Sequence, residues 1–357
     1  MSQKAMVAMS GGVDSSVAAY IIKQQGFETV GVTLKLVSNE DIGVSREKTC
    51  CSLKDIEDAR NVSFKIGIKY YVFNFTDNFK NDVISRFIES YEKGFTPNPC
   101  IDCNRYIKFE KLLERAVNLN FDYIVTGHYG IIEHDGVSGR FILKKALDDT
   151  KDQSYVLYSL TQKQLSKILL PLGKMKKSEI RKIASEQGFI NAKKHDSQDI
   201  CFVPDGNYVG FIENYRLKKY NPGNFIDVSG KIVGRHNGII NYTIGQRRGL
   251  GLFYHKPLFV CAKDAEKNTI TLGSEQDLYS KRLTAVDINL IACEKIERPL
   301  KVKAKIRYNQ KEQDAIVEQI SESQFHVEFD SEQRAVTKGQ AVVLYDGDIV
   351  IGGGTII

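Results

Sequence analysis

The chain has 357 residues, 42% of them hydrophobic and 26% charged, with a formal net charge of +6. These values are ordinary for a soluble globular protein with two or three cores, and no apolar run reaches the roughly 20 residues that span a bilayer. No charged and apolar leader precedes the first glycine loop, so a cytoplasmic protein with no membrane partner is expected. The mild positive charge fits nucleic acid and fits a lysine-rich solvated surface equally well. Cysteines stand at 50, 51, 100, 103, 201, 261 and 293. They do not make a secreted disulfide framework, and in a reducing compartment each must be buried, reactive or metal-bound.

Lys4 to Met9 reads as a short buried strand. Gly11-Gly12 follows, then helical spacing from Val13 to Gln25, with Val13, Val17, Tyr20 and Ile21 on one side and Gly26 placed to end it. A strand, a glycine turn and a helix N-terminus make an anion site. N–H groups point outward, the macrodipole favours negative charge, and glycine lets phosphate approach. No Gly-Lys-Ser/Thr follows, so this is not a Walker A loop and phosphoryl transfer is disfavoured. Thr29 to Val37 is a near-continuous apolar strand, as a doubly covered parallel sheet requires, with Leu34 near its end. Ser52 to Asp55 resembles a capping box, opening a helix that carries Ile56, Ala59, Val62 and Ile66 and stops at Gly67. Tyr70 to Phe75 is a third strand, and a helix from about 78 to 93 buries Phe79, Val83, Phe87 and Tyr91.

Pro97 and Pro99 predict an extended loop from Phe95 to Asn104, carrying Cys100-Ile101-Asp102-Cys103. A helix with Leu112, Leu113, Ala116 and Val117 and a strand Tyr123 to His128 continue a Rossmann-like alternation. Ligands of such sheets sit beyond the carboxyl ends of the strands, so Gly12, Leu34 and Gly127 should converge on one nucleotide. Residues 131–145 read as a hairpin about Asp135-Gly136, Lys151 to Tyr155 lead into two short helices, and Lys174 to Lys177 add local positive charge. After Pro204-Asp205-Gly206 the alternation stops: short strands and many glycines follow, and alternating strands from about 280 suggest a small barrel. The expected class is α/β: a Rossmann-like parallel-sheet domain (1–205), a small β-rich central domain (206–279) and a C-terminal β-barrel (280–357).

A thiol of ordinary pKa, about 8.5, is only a few per cent thiolate at neutral pH, so a working cysteine needs a partly exposed, electropositive site. A loop position for Cys100 and Cys103 fits that need. Cys201 follows a polar stretch, Cys261 and Cys293 read as buried inert thiols, and Cys50-Cys51 stay ambiguous. One C-x-x-C has no clear partner pair for structural zinc.

The segment SGGVDSS (10–16) resembles the pyrophosphate-binding loop of the ATP pyrophosphatases, which adenylate a substrate oxygen. Further segments follow in order: TPNPCIDCNRYIKF (96–109), TGHY (126–129), KDQSYVLYSL (151–160), SQDICFV (197–203), GRHNGIINYTIGQRRGLG (234–251), KIRYNQ (305–310) and GQAVVLYDGD (339–348). With them nearly the whole chain resembles the tRNA-specific 2-thiouridylases, which replace oxygen by sulfur at carbon 2 of the tRNA wobble uridine.

The resemblance implies that Ala8, Met9, Ser10, Gly11, Gly12, Val13, Asp14 and Ser15, with Leu34 and Gly127, hold ATP. Asp14 would help to hold Mg2+ and serve catalysis. Cys201 would carry a persulfide received from a donor protein, a cysteine desulfurase or a relay protein. Cys103 would be the nucleophile that releases its sulfur, as sulfide or by closing a disulfide. Closure needs the two Cα atoms within about 7 Å. Asn98, Pro99 and Cys100 would touch the flipped target base. Lys151, Asp152, Gln153, Arg307 and Tyr308 match tRNA-contact positions, and His128 and Gln340 match positions that tune the interaction.

Two departures stand out. Cys100 occupies the place where many members carry Asp, so that residue's acid/base duty does not transfer, and Asp102 is a speculative substitute. The change also makes Cys100, Cys103 and Cys201 conceivable ligands of a 4Fe–4S cluster, a second route for sulfur. Leu34, where Met is frequent, keeps an apolar adenine contact. Two other readings compete: an amide-forming ATP pyrophosphatase, which leaves Cys103 and Cys201 without a task, and a non-catalytic RNA-binding module.

Overall fold

The computed structural model describes residues 2–37, 53–194, 200–203, 205–252 and 256–357. Cys50, Cys51, Ser52 and the polar stretch 195–199 lie outside the described residues, and with them the capping box. The first layer is a parallel sheet of β1 (Lys4–Ala8), β2 (Glu28–Lys35), β3 (Lys69–Asn74), β4 (Tyr123–Val125) and, after the hairpin β5 (Ile131–His134) and β6 (Phe141–Lys144), β7 (Ile168–Leu169). Its order is β3-β2-β1-β4-β7, with Val7 between Gly31 and Val125. The direction of winding reverses between β1 and β4, and a ligand crevice belongs at that point.

Both faces of the sheet are covered, so β2 runs as six consecutive buried residues. Along β1 the side chains split by strand alternation. Met6 joins a core with Phe79, Phe87 and Ile107, while Ala5, Val7 and Met9 join another with Val17 and Ile22 of α1 (Val13–Gln24) and Val62 of the helix Leu53–Ile66. Gly26 (φ +87) and Gly67 (φ +68) end those two helices as expected. The buried stripe of α1 differs from expectation: Val13, Val17, Ala18 and Ile22 are inside, and Tyr20 and Ile21 are only half-buried. A second neighbour, the helix Lys177–Glu186, packs on α1 and rotates the covered arc.

The proline-rich segment also differs. Helix resumes at Pro99–Asp102, widens into π-helical turns over Cys103–Lys111 and closes as Leu112–Asn118. Asn98 caps it, its Oδ1 accepting from the Cys100 N–H at 3.1 Å. A proline at the first helical position has no N–H to waste, so Pro99 starts the helix instead of forbidding it. The C-x-x-C therefore lies on a helical turn, not on a loop.

A helix, Tyr208–Arg216, precedes a second sheet of β8 (Gly223–Asp227), β9 (Ile232–His236), β10 (Phe259–Asp264) and β11 (Thr269–Gly273), ordered β10-β11-β8-β9. The third sheet holds β12 (Tyr279–Leu290), β13 (Leu300–Lys305), β14 (Gln313–Ser321), β15 (Gln324–Arg334), β16 (Ala341–Asp346) and β17 (Ile349–Ile356). Pairing of β12 with β17 closes these six strands into a barrel, with Ala315, Val317, Phe325, Val327 and Phe329 turned inward by alternation. The early hairpin β5–β6 adds to this sheet, Lys144 pairing with Ile349, so the first and last parts of the chain share one hydrogen-bonded layer. Among the described residues no helix is long and apolar enough to cross a membrane.

Candidate active site

Ser10, Gly11 and Gly12 turn β1 into α1. Gly11 has φ +74, and a Cβ there would stand 2.4 Å from the Asp55 carbonyl oxygen, so conformation and space both exclude a side chain. Ser15 Oγ accepts from the Ser10 N–H (3.1 Å) and donates to the Gly12 carbonyl (3.1 Å), to which Ser16 Oγ also donates (3.0 Å). The Met9 N–H donates to the Val32 carbonyl, and Thr33 Oγ1 to the Met9 carbonyl, tying the loop to β2 beside the buried Leu34. Gly127 follows β4 so closely that a Cβ would lie 2.7 Å from the Ser15 nitrogen. The ends of β1 and β4 thus meet over the first turn of α1.

Asp14, in that turn, is not left to solvent. Lys177 Nζ stands 2.7 Å from each carboxylate oxygen, and Tyr129 donates its hydroxyl to Oδ1 at 2.7 Å. Lys194 Nζ donates to the Gly11 carbonyl (3.1 Å) and to Asp55 (2.6 Å) and Asp58 (2.7 Å). Asn191 Nδ2 donates to the Gly11 carbonyl (3.0 Å) and Ser16 Oγ (2.9 Å).

Cys103 is buried in the large hydrophobic cluster that includes Leu34, and Cys201, half-buried, packs against that cluster. Phe202 anchors the Cys201 segment by edge-on contacts with Phe79 (5.7 Å) and Phe87 (5.2 Å) and a tilted one with Phe211 (5.2 Å). Cys100 is exposed and near Tyr308, whose hydroxyl is pushed up by burial first, then by Asp152 and Cys100. Between the Pro99–Asp102 turn and the barrel lies a cavity of about 220 Å³, lined by Arg86, Asn98, Asp102, Tyr158, Gly339 and Thr355 among others. Burial pushes the Asp102 carboxyl up to about 6 although Arg86 stands 3.7 Å away and, with Arg105, pulls it back. The acid/base candidate is therefore a carboxylate poised near neutrality, in a cavity.

The remaining expected contact residues are knitted into the protein. The Asp152 carboxylate accepts from the Ala146 N–H (2.9 Å) and Ser154 Oγ (2.6 Å), and Gln153 Oε1 from the Tyr129 N–H (2.9 Å). Tyr308 donates to the Asp152 carbonyl (3.1 Å), Arg307 to the Arg334 carbonyl (2.9 Å), and Gln340 to the Thr96 carbonyl (2.7 Å). Lys151 is half-buried beside them. His128 Nδ1 is 2.7 Å from Thr126 Oγ1, and burial, with Lys108, holds its imidazole well below the usual range and so neutral.

The tRNA methyl transferase HUP domain family matches residues 3–205, the tRNA methyl transferase PRC-barrel domain 209–274, and the Aminomethyltransferase beta-barrel domain 280–356. The chain is 52% identical over 356 residues to tRNA-specific 2-thiouridylase MnmA 1 of Thermoanaerobacter sp. (strain X514), covering 99% of this chain and 98% of the relative. It is 52% identical to tRNA-specific 2-thiouridylase MnmA of Acetivibrio thermocellus (99% of each chain) and 50% to that of Clostridioides difficile (100% and 98%). The chain belongs to the tRNA-specific 2-thiouridylase family.

Among the described residues no group of three or more His, Cys, Asp or Glu side chains is gathered as a metal site, Cys100, Cys103 and Cys201 included. Cys100 is exposed and near Tyr308, whereas Cys103 is buried in the hydrophobic core. Cys261 and Cys293 are half-buried, and burial pushes both thiols up, away from reactivity. Sequence reasoning about this thiouridylase missed the Lys177–Asp14–Tyr129 and Lys194–Asp55–Asp58 groups. The lysine run 174–177 was the visible signal, but its partner lies 163 residues earlier.

Proposed function

We propose that this protein catalyses ATP-dependent 2-thiolation of the wobble uridine, position 34, of tRNA. Uracil O2 attacks the α-phosphorus of ATP and pyrophosphate leaves. The terminal sulfur of a Cys201 persulfide then attacks carbon 2, and AMP departs with the C–O electron pair. Cys103 thiolate attacks Cys201 Sγ, breaking the S–S bond. Sulfur stays on the base, and a Cys103–Cys201 disulfide forms that small thiols reduce. If Cys103 acts first, it releases hydrosulfide, which attacks carbon 2 instead.

The loop from Ala8 to Ser15, with Leu34 and Gly127, holds ATP in this reading. Mg2+ would neutralise phosphate charge, and Asp14, whose carboxylate Lys177 and Tyr129 hold in place, would be its protein ligand. Asn98, Pro99 and Cys100 meet the flipped base. Lys151, Asp152, Gln153, Arg307, Tyr308, His128 and Gln340 shape the RNA surface. Residues 1–205 carry the chemistry, 206–279 form a central unit, and 280–357 contact tRNA. The persulfide comes from a cysteine desulfurase or a relay protein, and the setting is the cytoplasm.

The observation that supports this reading is that Cys103 is buried in the hydrophobic cluster that includes Leu34 and Cys201, from a distant segment, packs half-buried against the same cluster, in a chain that also has a glycine phosphate loop. Amide synthesis has no task for those thiols. Incubation with ATP, a persulfide donor and unmodified tRNA should give AMP, pyrophosphate and thiolated RNA. Asp14→Asn should lose ATP turnover. Pyrophosphate release that depends on a small acid and ammonia, and not on RNA, would instead indicate an amide-forming synthetase.

A further inference from the structure

The phosphate loop lacks the lysine that a Walker A loop carries beside its glycines, yet the fold delivers one from 163 residues away. We propose that Lys177 is the phosphate-binding cation of this site, its ammonium aimed by Asp14 at the pyrophosphate half of ATP. The inference rests on the nucleotide reading above and adds a residue that lies outside the loop.

Three features single out Lys177. It begins the helix Lys177–Glu186, where its own N–H donates to Asp148 Oδ2 (2.9 Å), fixing the backbone from which the side chain departs. That side chain is only 10% exposed, and Nζ lies 5.8 Å from the centre of the Tyr129 ring while Tyr129 itself donates to Asp14. A buried ammonium is costly unless its charge is balanced, and it is balanced here by a carboxylate in the first turn of α1, where the helix favours an anion.

Lys194 offers the contrast. Its one charge is shared between Asp55, Asp58 and the Gly11 carbonyl, which commits it to holding the loop. Asp14 would repel phosphate by itself; with Lys177 it becomes a positioning residue that holds a flexible lysine in one orientation.

The test is calorimetric titration of the full chain with ATP and with AMP in Mg2+-free buffer, for wild type, Lys177→Met and Lys177→Arg. AMP stops at the α-phosphate and so reports the adenosine site alone. Lys177→Met should weaken ATP by roughly 10- to 100-fold, the value of one charge-assisted hydrogen bond, and leave AMP within about twofold. Lys177→Arg keeps the cation and should retain most of the ATP affinity. Unchanged ATP binding in Lys177→Met, or equal losses for ATP and AMP, would overturn the proposal. Should the Met variant unfold, Lys177→Gln, which removes the charge and keeps a polar side chain of similar length, decides by the same ATP-against-AMP comparison. Wild-type protein that binds neither nucleotide would refute the nucleotide reading itself.

Discussion

The phosphate loop and the thiol-bearing helix solve opposite problems. The loop needs backbone N–H groups in a fixed geometry, and most of that geometry is made locally: Gly11 takes the left-handed conformation, and Ser15 and Ser16 close the turn on residues at most five positions away. The thiols need an environment, which is made at long range. Cys103 is buried in a hydrophobic cluster drawn from much of the chain, the Cys201 segment is anchored through Phe202 on Phe79 and Phe87, and Arg105, just after Cys103, forms a bidentate pair with Asp287 of the barrel. The turn of the loop can be written into seven consecutive residues; the surroundings of the two thiols are assembled from distant parts of the chain.

The most severe way to separate the two regions is Cys201→Ala. It should abolish thiolation, by 1,000-fold or more on the scale of a lost covalent nucleophile, and leave ATP affinity unchanged. Thiolation assays beside ATP titrations check this, and a parallel loss of ATP binding would mean that the two regions are one cooperative unit. Gly11→Ala attacks the other side. A Cβ would meet the Asp55 backbone at a φ that L residues avoid, so a cost of about 2–4 kcal/mol in denaturant unfolding is expected, with ATP binding lost in whatever remains folded.

How much of this was legible in the sequence follows the same division. The strand, the glycine turn, α1 and Gly26 could be read directly, because each signal sits within a few residues of its effect. The barrel could be read from alternating strands beyond about residue 280, as in Val302, Ala304 and Ile306, which are buried in and just after β13. The pairing of Lys177 with Asp14 could not, since nothing near residue 177 names its partner. The helix at Pro99 was misread because a proline that breaks a helix interior is favoured at a helix start, and only the Asn98 cap tells the two apart. The hairpin β5–β6 was legible as a hairpin, but its attachment to β17 was not.

Asp102 sharpens the comparison from the side of cost. Burial raises its carboxyl from an ordinary 3.8 to about 6, so the folded chain holds that proton to higher pH than the unfolded chain does. Stability is therefore lost as pH rises from about 4 to about 6, and the penalty, on the order of 3 kcal/mol before relaxation, is complete above that. Asp102→Asn should stabilise the protein by about 1–3 kcal/mol at pH 7.5 and by nothing at pH 4, measured by denaturant unfolding at both values. A variant less stable at pH 7.5 would show that the pairing with Arg86 outweighs the burial.

The smallest effect tests how the barrel reports to the chemistry. Tyr308→Phe removes one hydroxyl, which donates to the Asp152 carbonyl at 3.1 Å, and keeps the edge-on contact with Tyr155 at 6.0 Å. The residue is 36% exposed, so water can take over the freed carbonyl, and the expected stability loss is about 0.5–1 kcal/mol. The informative readout is RNA affinity. If Tyr308 meets tRNA by stacking its ring on a base, phenylalanine preserves affinity, because the π-face is unchanged. If instead its hydroxyl serves to hold the 151–153 segment in place for RNA, affinity falls although the exposed surface is nearly identical. A fall would put tRNA recognition in the long-range assembly that governs the thiols, and preserved affinity would put it in the local surface.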